Sequence, residues 1–244
     1  MSSDSASINL THHFLIAMPG LNDELFGKSV VYMCEHSSRG ALGLIINKPS
    51  DITVQDLFDK VEMPLRRSEL ATLPVFQGGP LQPERGFVLH ESIGEATAVG
   101  VDETPPGVAR AIREALSGLD VGHRTEDSKD AGAAEEADLA GAAALHGSAY
   151  ASTLRVGHGL EMTTSRDVLE AMSSGAGPRK VLLTLGYASW GEGQLESEIT
   201  ENSWLTVEAD AAVIFDTPVE QRYEKAMALL GLQPWMLAPG SGHA

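Results

Sequence analysis

One cysteine stands in 244 residues. That scarcity excludes an internal disulfide and fits a reducing cytosol. Basic residues are scarce too, 17 Lys and Arg against 34 Asp and Glu, for a net charge of −17. Such a surface repels DNA phosphates over roughly a Debye length, about 8 Å at physiological salt. Nucleic-acid affinity normally comes from clustered bases neutralising phosphates. Here only Arg66-Arg67 and Arg179-Lys180 are adjacent, so no direct nucleic-acid binding is expected. No run of 18 apolar residues occurs, which argues against a transmembrane helix. The opening Met1 to His13 lacks the basic start and apolar stretch of a signal peptide. A cytoplasmic protein with no membrane partner is the expectation. There is no Walker A loop, dinucleotide fingerprint or HExxH motif, and no cofactor is expected.

What is present is an ordinary globular composition, 43% hydrophobic and 21% charged, enough for a sizeable core in one or two domains. Phe14 to Met18 is a short apolar run closed by Pro19-Gly20 and predicts a buried strand. Val30 to Glu35 and Ala41 to Asn47 flank the turn-forming Ser37-Ser38-Arg39-Gly40, a hairpin signal. Thr53 caps a predicted helix through about Val61, with Val54, Leu57, Phe58 and Val61 on one side. Strands are predicted at Leu73 to Gln77, Gly86 to His90, Val181 to Leu185, Trp204 to Val207 and Ala212 to Phe215. Helices are predicted at Arg166 to Met172, around Gly193 to Glu201, and from Pro218 to Leu230, with Gly231 just past the end. The irregular alternation and the hairpins point to an α+β fold rather than a doubly wound parallel sheet.

One segment reads differently. Residues from about 118 to 150 are rich in Gly, Ala and acids, with almost no branched apolar side chains. Such a composition cannot bury enough surface to offset its ordering entropy, so a flexible insertion is expected there, led into by a short amphipathic helix at Val108 to Leu116.

The order of the segments resembles the AlgH/YqgE family of bacterial proteins. The resemblance is carried by His13 to Pro19 (HFLIAMP), Ser29 to His36 (SVVYMCEH), Gly40 to Pro49 (GALGLIINKP) and Gly78-Gly79-Pro80. It continues through Gly86 to His90 (GFVLH), Thr163 to Glu170 (TTSRDVLE), Leu185 to Glu196 (LGYASWGEGQLE) and Asn202-Ser203-Trp204-Leu205. It spans nearly everything except residues from about 93 to 158. It implies one α+β domain on a strongly coiled, bifurcated, mixed or antiparallel sheet with helices around it. Part of the family is labelled a transcriptional regulator through an effect on alginate production. No settled reaction or cofactor comes with the resemblance, and the long acidic insertion departs from the pattern.

Few residues invite chemistry. Cys34 precedes Glu35 and His36, and on a regular strand residues two apart share a face about 6.5 Å apart. His36 is thereby expected to approach Cys34 while Glu35 points away. A nearby imidazolium lowers a thiol pKa and makes a thiolate available. Structural packing is the favoured reading of Cys34, because most free cysteines are small buried hydrophobes; a redox-sensitive thiol is the alternative. Gly78-Gly79-Pro80 can bring backbone amides to an anion with Arg85 as a clamp, or it is simply a tight turn. Cys34, His36 and His90 lack metal-ligand spacing, and no metal is expected. His12 and His13 adjoin a strand start and are expected to be exposed. Gly186 to Gly191 has Tyr187 where a nucleophile elbow requires glycine and is expected to be a structural turn with Trp190 on the core. The expected function is a non-enzymatic regulatory or interaction protein with a protein or small-molecule partner. The alternative is a thiol-based sensor or enzyme using Cys34.

Overall fold

A computed structural model describes residues 9–21, 23–93 and 148–237. Ten strands form one sheet: β1 His13–Ala17, β2 Val30–Ser37, β3 Gly40–Ile45, β4 Pro49–Thr53, β5 Pro74–Gln77, β6 Leu81–Glu91, β7 Thr153–Gly157, β8 Leu160–Thr163, β9 Val181–Trp190 and β10 Trp204–Glu208. The helices are α1 Val54–Lys60, α2 Arg166–Ser173, α3 Gln194–Thr200, α4 Ala211–Phe215 and α5 Arg222–Leu229. Most of the expected insertion, and the helix expected before it, lie outside the described residues. Near its end Ser148 donates to the Glu161 carboxylate. The α+β class agrees with the sequence pattern, and the coiled, forked, mainly antiparallel sheet agrees with what the family resemblance implies.

The main path of the sheet runs β10-β1-β2-β3-β9-β6-β8-β7. It curls enough that its two ends meet: His158, in the β7–β8 turn, lies 3.6 Å from Glu208 at the end of β10. The fork is at β9. One edge of this strand pairs antiparallel with β6, while its other edge pairs with β3 over Gly43–Ala41 and parallel with β5 at Thr184 and Leu185. Gly78, just after β5, sits in the crotch. Its N–H donates to Leu185 and its carbonyl accepts from Ile45, so it joins both branches. A Cβ there would stand 2.2 Å from the Gly186 carbonyl oxygen, which only glycine avoids.

Two faces of the curled sheet bury separate cores. Phe14, Tyr32, Cys34, Leu42 and Leu44 lie with Val213, Ile214, Ala226 and Met227 from α4 and α5. Leu15, Val31, Met33, Ala41 and Ile45 lie on the other face with Leu195 of α3, Trp190 and Trp204. A third cluster under the fork joins α1 and α2 through Val54, Phe58, Val168 and Met172.

Three expected elements take another form, and three strands, β4, β7 and β8, have no counterpart in the sequence expectation. Ala212 to Phe215 belongs to helix α4, not a strand; Asp210 caps it by accepting from the Ala212 N–H. Gly186 to Trp190 is not a turn but the second half of β9, with Gly186 kinking the strand at φ 74°. The indole of Trp190 does pack in the core. The strand expected to start at Gly86 begins at Leu81.

Candidate functional site

The position of Cys34 is decided by a β-bulge. Between β2 and β3 the register runs Tyr32↔Leu44 and Met33↔Gly43, then Glu35↔Leu42 and His36↔Ala41. Cys34 is the extra residue. One inserted residue exchanges the faces of everything after it. Cys34 therefore keeps the Val30 and Tyr32 face, while His36 turns to the Val31, Met33 and Ala41 face. The expected Cys34–His36 pair does not form, and Glu35, expected to point away, shares the cysteine's face opposite Leu42.

Each group settles accordingly. Cys34 is 1% exposed, and its thiol points to the Tyr32 carbonyl at 3.8 Å. Burial pushes the thiol pKa strongly up and the Glu35 charge adds to the rise. His36 accepts from the Leu10 N–H through Nδ1 at 3.0 Å, so its proton sits on Nε2 and donates to Glu196 at 2.9 Å. It fastens the segment before β1 to α3. Burial raises the Glu35 pKa, partly opposed by Arg39, and its Oε2 is buried without a hydrogen-bond partner.

The other sequence candidates also have structural tasks. The Gly78 N–H is already committed to Leu185, and a Cβ on Gly79 would lie 2.1 Å from the Tyr187 carbonyl carbon. These glycines let two backbones cross. Arg85 reaches Gln82 at 3.4 Å and lies 5.6 Å from the centre of the Phe87 ring. His90 is fully buried, between the Thr163 hydroxyl and the Glu91 carbonyl. Cys34, His36 and His90 do not converge as a metal-ligating group. His12, expected to be exposed, is 7% exposed and bonds the Tyr32 hydroxyl at 3.0 Å.

A cleft that the sequence did not announce lies where α4, α5 and their connection cross the fork. Its volume is about 330 Å³, lined mainly by Val54, Leu73, Phe76, Leu182, Ile214 and Arg222. Small-ligand sites typically span about 300–1,000 Å³. Arg222 is 6% exposed and lies over the Phe76 ring at 4.9 Å. Nε donates to the Thr217 carbonyl at 3.1 Å and Nη1 to the Ile46 carbonyl. Both acceptors are neutral. Burial pushes its pKa down to about 10, partly countered by Glu220, so the guanidinium remains charged at neutral pH. Among the described residues no carboxylate stands within ion-pair distance of it. A signal was available: Arg222, Tyr223, Ala226 and Met227 are the buried side of α5, and an arginine on the apolar stripe of a helix is costly to bury without a purpose.

A coiled and forked sheet with short helices packed on it defines an α+β fold class. The chain belongs to the AlgH-like family (DUF179), whose model matches residues 14–131 and 132–235. It is 60% identical over 244 residues to UPF0301 proteins of Polaromonas sp. and of Paracidovorax citrulli, covering 100% of each chain. Among solved structures it is similar to the AlgH protein of Pseudomonas aeruginosa, with 36% identity, a TM-score of 0.61 and 100% of both chains covered. A protein from Corynebacterium diphtheriae shares the fold at 19% identity and a TM-score of 0.57, over 94% of this chain and 92% of that one. No helix among the described residues is long and apolar enough to cross a membrane.

Proposed function

We propose that this is a non-enzymatic regulatory protein that binds a small ligand with an apolar body and an anionic head in the cleft between α4, α5 and the fork. The buried Arg222 guanidinium carries this reading. It lines a mainly apolar cleft whose one carboxylate, Asp216, is paired to Lys180 at 2.6 Å, stays charged at neutral pH, and commits its known hydrogen bonds only to backbone carbonyls. A guanidinium presents five N–H donors, so the bonds to Thr217 and Ile46 leave capacity for a carboxylate or phosphate oxygen. Desolvation strengthens such a contact. The net charge of −17 favours regulation through ligand or protein contacts over direct contact with DNA. The thiol reading draws no support from Cys34, whose burial disfavours the thiolate.

Calorimetric titration of the full chain with decanoate, decylamine and decanol tests the proposal. Decanoate is expected to bind at least tenfold more tightly than the other two. Leu73→Trp, at a 40% exposed lining position, fills the cleft without disturbing the core and should abolish that binding. Equal affinity for decylamine, or decanoate binding unchanged in Leu73→Trp, would refute it.

A further inference from the structure

The two ends of the curled sheet meet around three side chains that no sequence spacing connects. His12 precedes β1, Glu208 ends β10, and His158 sits at the tip of the β7–β8 turn. One ring nitrogen from each histidine and one Glu208 carboxylate oxygen all lie within 4.8 Å of one another. The two imidazole centroids are 4.0 Å apart. We propose that His12, His158 and Glu208 form a binding site for a divalent transition metal of the zinc class, closing the seam between the two ends of the sheet.

The donor set suits such an ion. Two imidazoles and one carboxylate are borderline ligands that favour zinc and its neighbours over magnesium or calcium. Tetrahedral zinc with bonds of about 2.0–2.1 Å places its ligand atoms about 3.3 Å apart, so the present spread must close by no more than about 1.5 Å. The two groups that must move are free to do so, since the His158 and Glu208 side chains are 62% and 68% exposed. The third is fixed. His12 is buried, and its Nδ1 is held by the Tyr32 hydroxyl, which leaves Nε2 for the metal and supplies the outer hydrogen bond that orients metal-bound histidines. His12 and His158 both hold left-handed backbone, φ 60° and 51°. Three protein ligands at an exposed rim leave at least one coordination position to solvent.

The site is independent of the Arg222 cleft, and zinc chloride is the probe. After chelator treatment, the full chain is titrated by calorimetry at pH 7.5, with magnesium chloride as control. One zinc per chain is expected, without comparable magnesium binding. Each of His158→Asn and Glu208→Gln should weaken binding tenfold or more. Asparagine tolerates the left-handed turn, and both positions are exposed, so the metal-free melting temperatures should match the wild type. Zinc should raise the wild-type melting temperature and not that of His158→Asn. It should also slow amide exchange in the β7–β8 turn and at the end of β10. With 8 histidines in the chain, adventitious binding elsewhere is the competing outcome. Zinc binding unchanged in both variants, or no binding tighter than 100 µM, would overturn the assignment.

Discussion

The thiol of Cys34 should react only when the protein opens. It is 1% exposed, in a cluster with Phe14, Tyr32 and Leu42, and its strand is paired on both sides, to β1 and β3. The perturbation is a thiol-specific disulfide reagent in excess, at pH 8 and increasing urea below the unfolding transition. If labelling requires global opening, its rate is the free-thiol rate multiplied by the unfolded fraction. At the low end of ordinary domain stability, about 5 kcal/mol, that fraction slows labelling by nearly four powers of ten at ~1.4 kcal/mol per decade. The logarithm of the rate should then rise linearly with urea, with the slope of the equilibrium transition. Substitutions test the same burial. Cys34→Ser places a hydroxyl where the thiol makes only a 3.8 Å contact to the Tyr32 carbonyl, at a cost of roughly 1–3 kcal/mol if it finds no partner. Cys34→Ala should cost less, because it removes only the sulfur and leaves a small apolar gap. Labelling within tenfold of a free thiol and independent of urea would refute the burial argument. It would restore the redox reading.

Two further outcomes follow from buried polar groups. Glu198 Oε2 accepts both the Trp190 and Trp204 indole N–H groups, at 2.9 and 2.8 Å, and the two rings are only 3% and 5% exposed. Glu198→Ala should destabilise by about 1–3 kcal/mol per orphaned donor, read by urea unfolding on tryptophan fluorescence; a total loss under 1 kcal/mol would show that neither donor is orphaned. Glu35 has a raised folded pKa, so its ionisation penalises the fold above the unfolded pKa and not below it. Glu35→Gln should therefore raise the melting temperature at pH 7, the gain shrinking as the pH falls to about 4, and a pH-independent difference would contradict the sign.

The elements that were legible in the sequence are those whose burial pattern is local. The β2–β3 hairpin, α1 with its Thr53 cap and the final helix ending before Gly231 follow from periodicity and turn chemistry over fewer than about 20 residues. The failures have two causes, a run too short to show a period and contacts between distant segments. Ala211–Phe215 is too short and uniformly apolar for periodicity to separate helix from strand; only the Asp210 cap distinguishes them. Gly186 reads as a stop, yet β9 runs through it, because the strand must bend where Gly78 and Gly79 cross it. The candidate sites failed for a related reason. Nothing in the stretch Val30 to His36 announces the extra residue at Cys34. Pairing with β3 fixes the bulge, and one residue of slip moves His36 to the opposite core. His12, His158 and Glu208 are separated by up to 196 positions in the chain and meet only because the sheet curls.

The placement of polar groups separates scaffold from site. Most buried polar side chains here bind one element to another and are satisfied in doing so. Tyr223 donates to the Ala17 carbonyl, joining α5 to β1; His36 ties the start of the chain to α3; Glu198 holds two tryptophans. Deleting such a group should cost stability and nothing else. Arg222 and the seam histidines differ in kind. Arg222 ties α5 to the end of β3 through Ile46, but a neutral hydrogen-bonding group could do that without burying a cation. Likewise His12 satisfies Tyr32 through one ring nitrogen, and the seam would close on packing alone without bringing a second imidazole and a carboxylate to the other. Where such surplus capacity opens into a cleft or converges with other ligand atoms, rather than standing alone as the Glu35 carboxylate does, a bound group explains it. By that criterion the cleft and the seam are the sites we propose, and Cys34, whose surroundings suppress its only reactive form, is read as part of the scaffold.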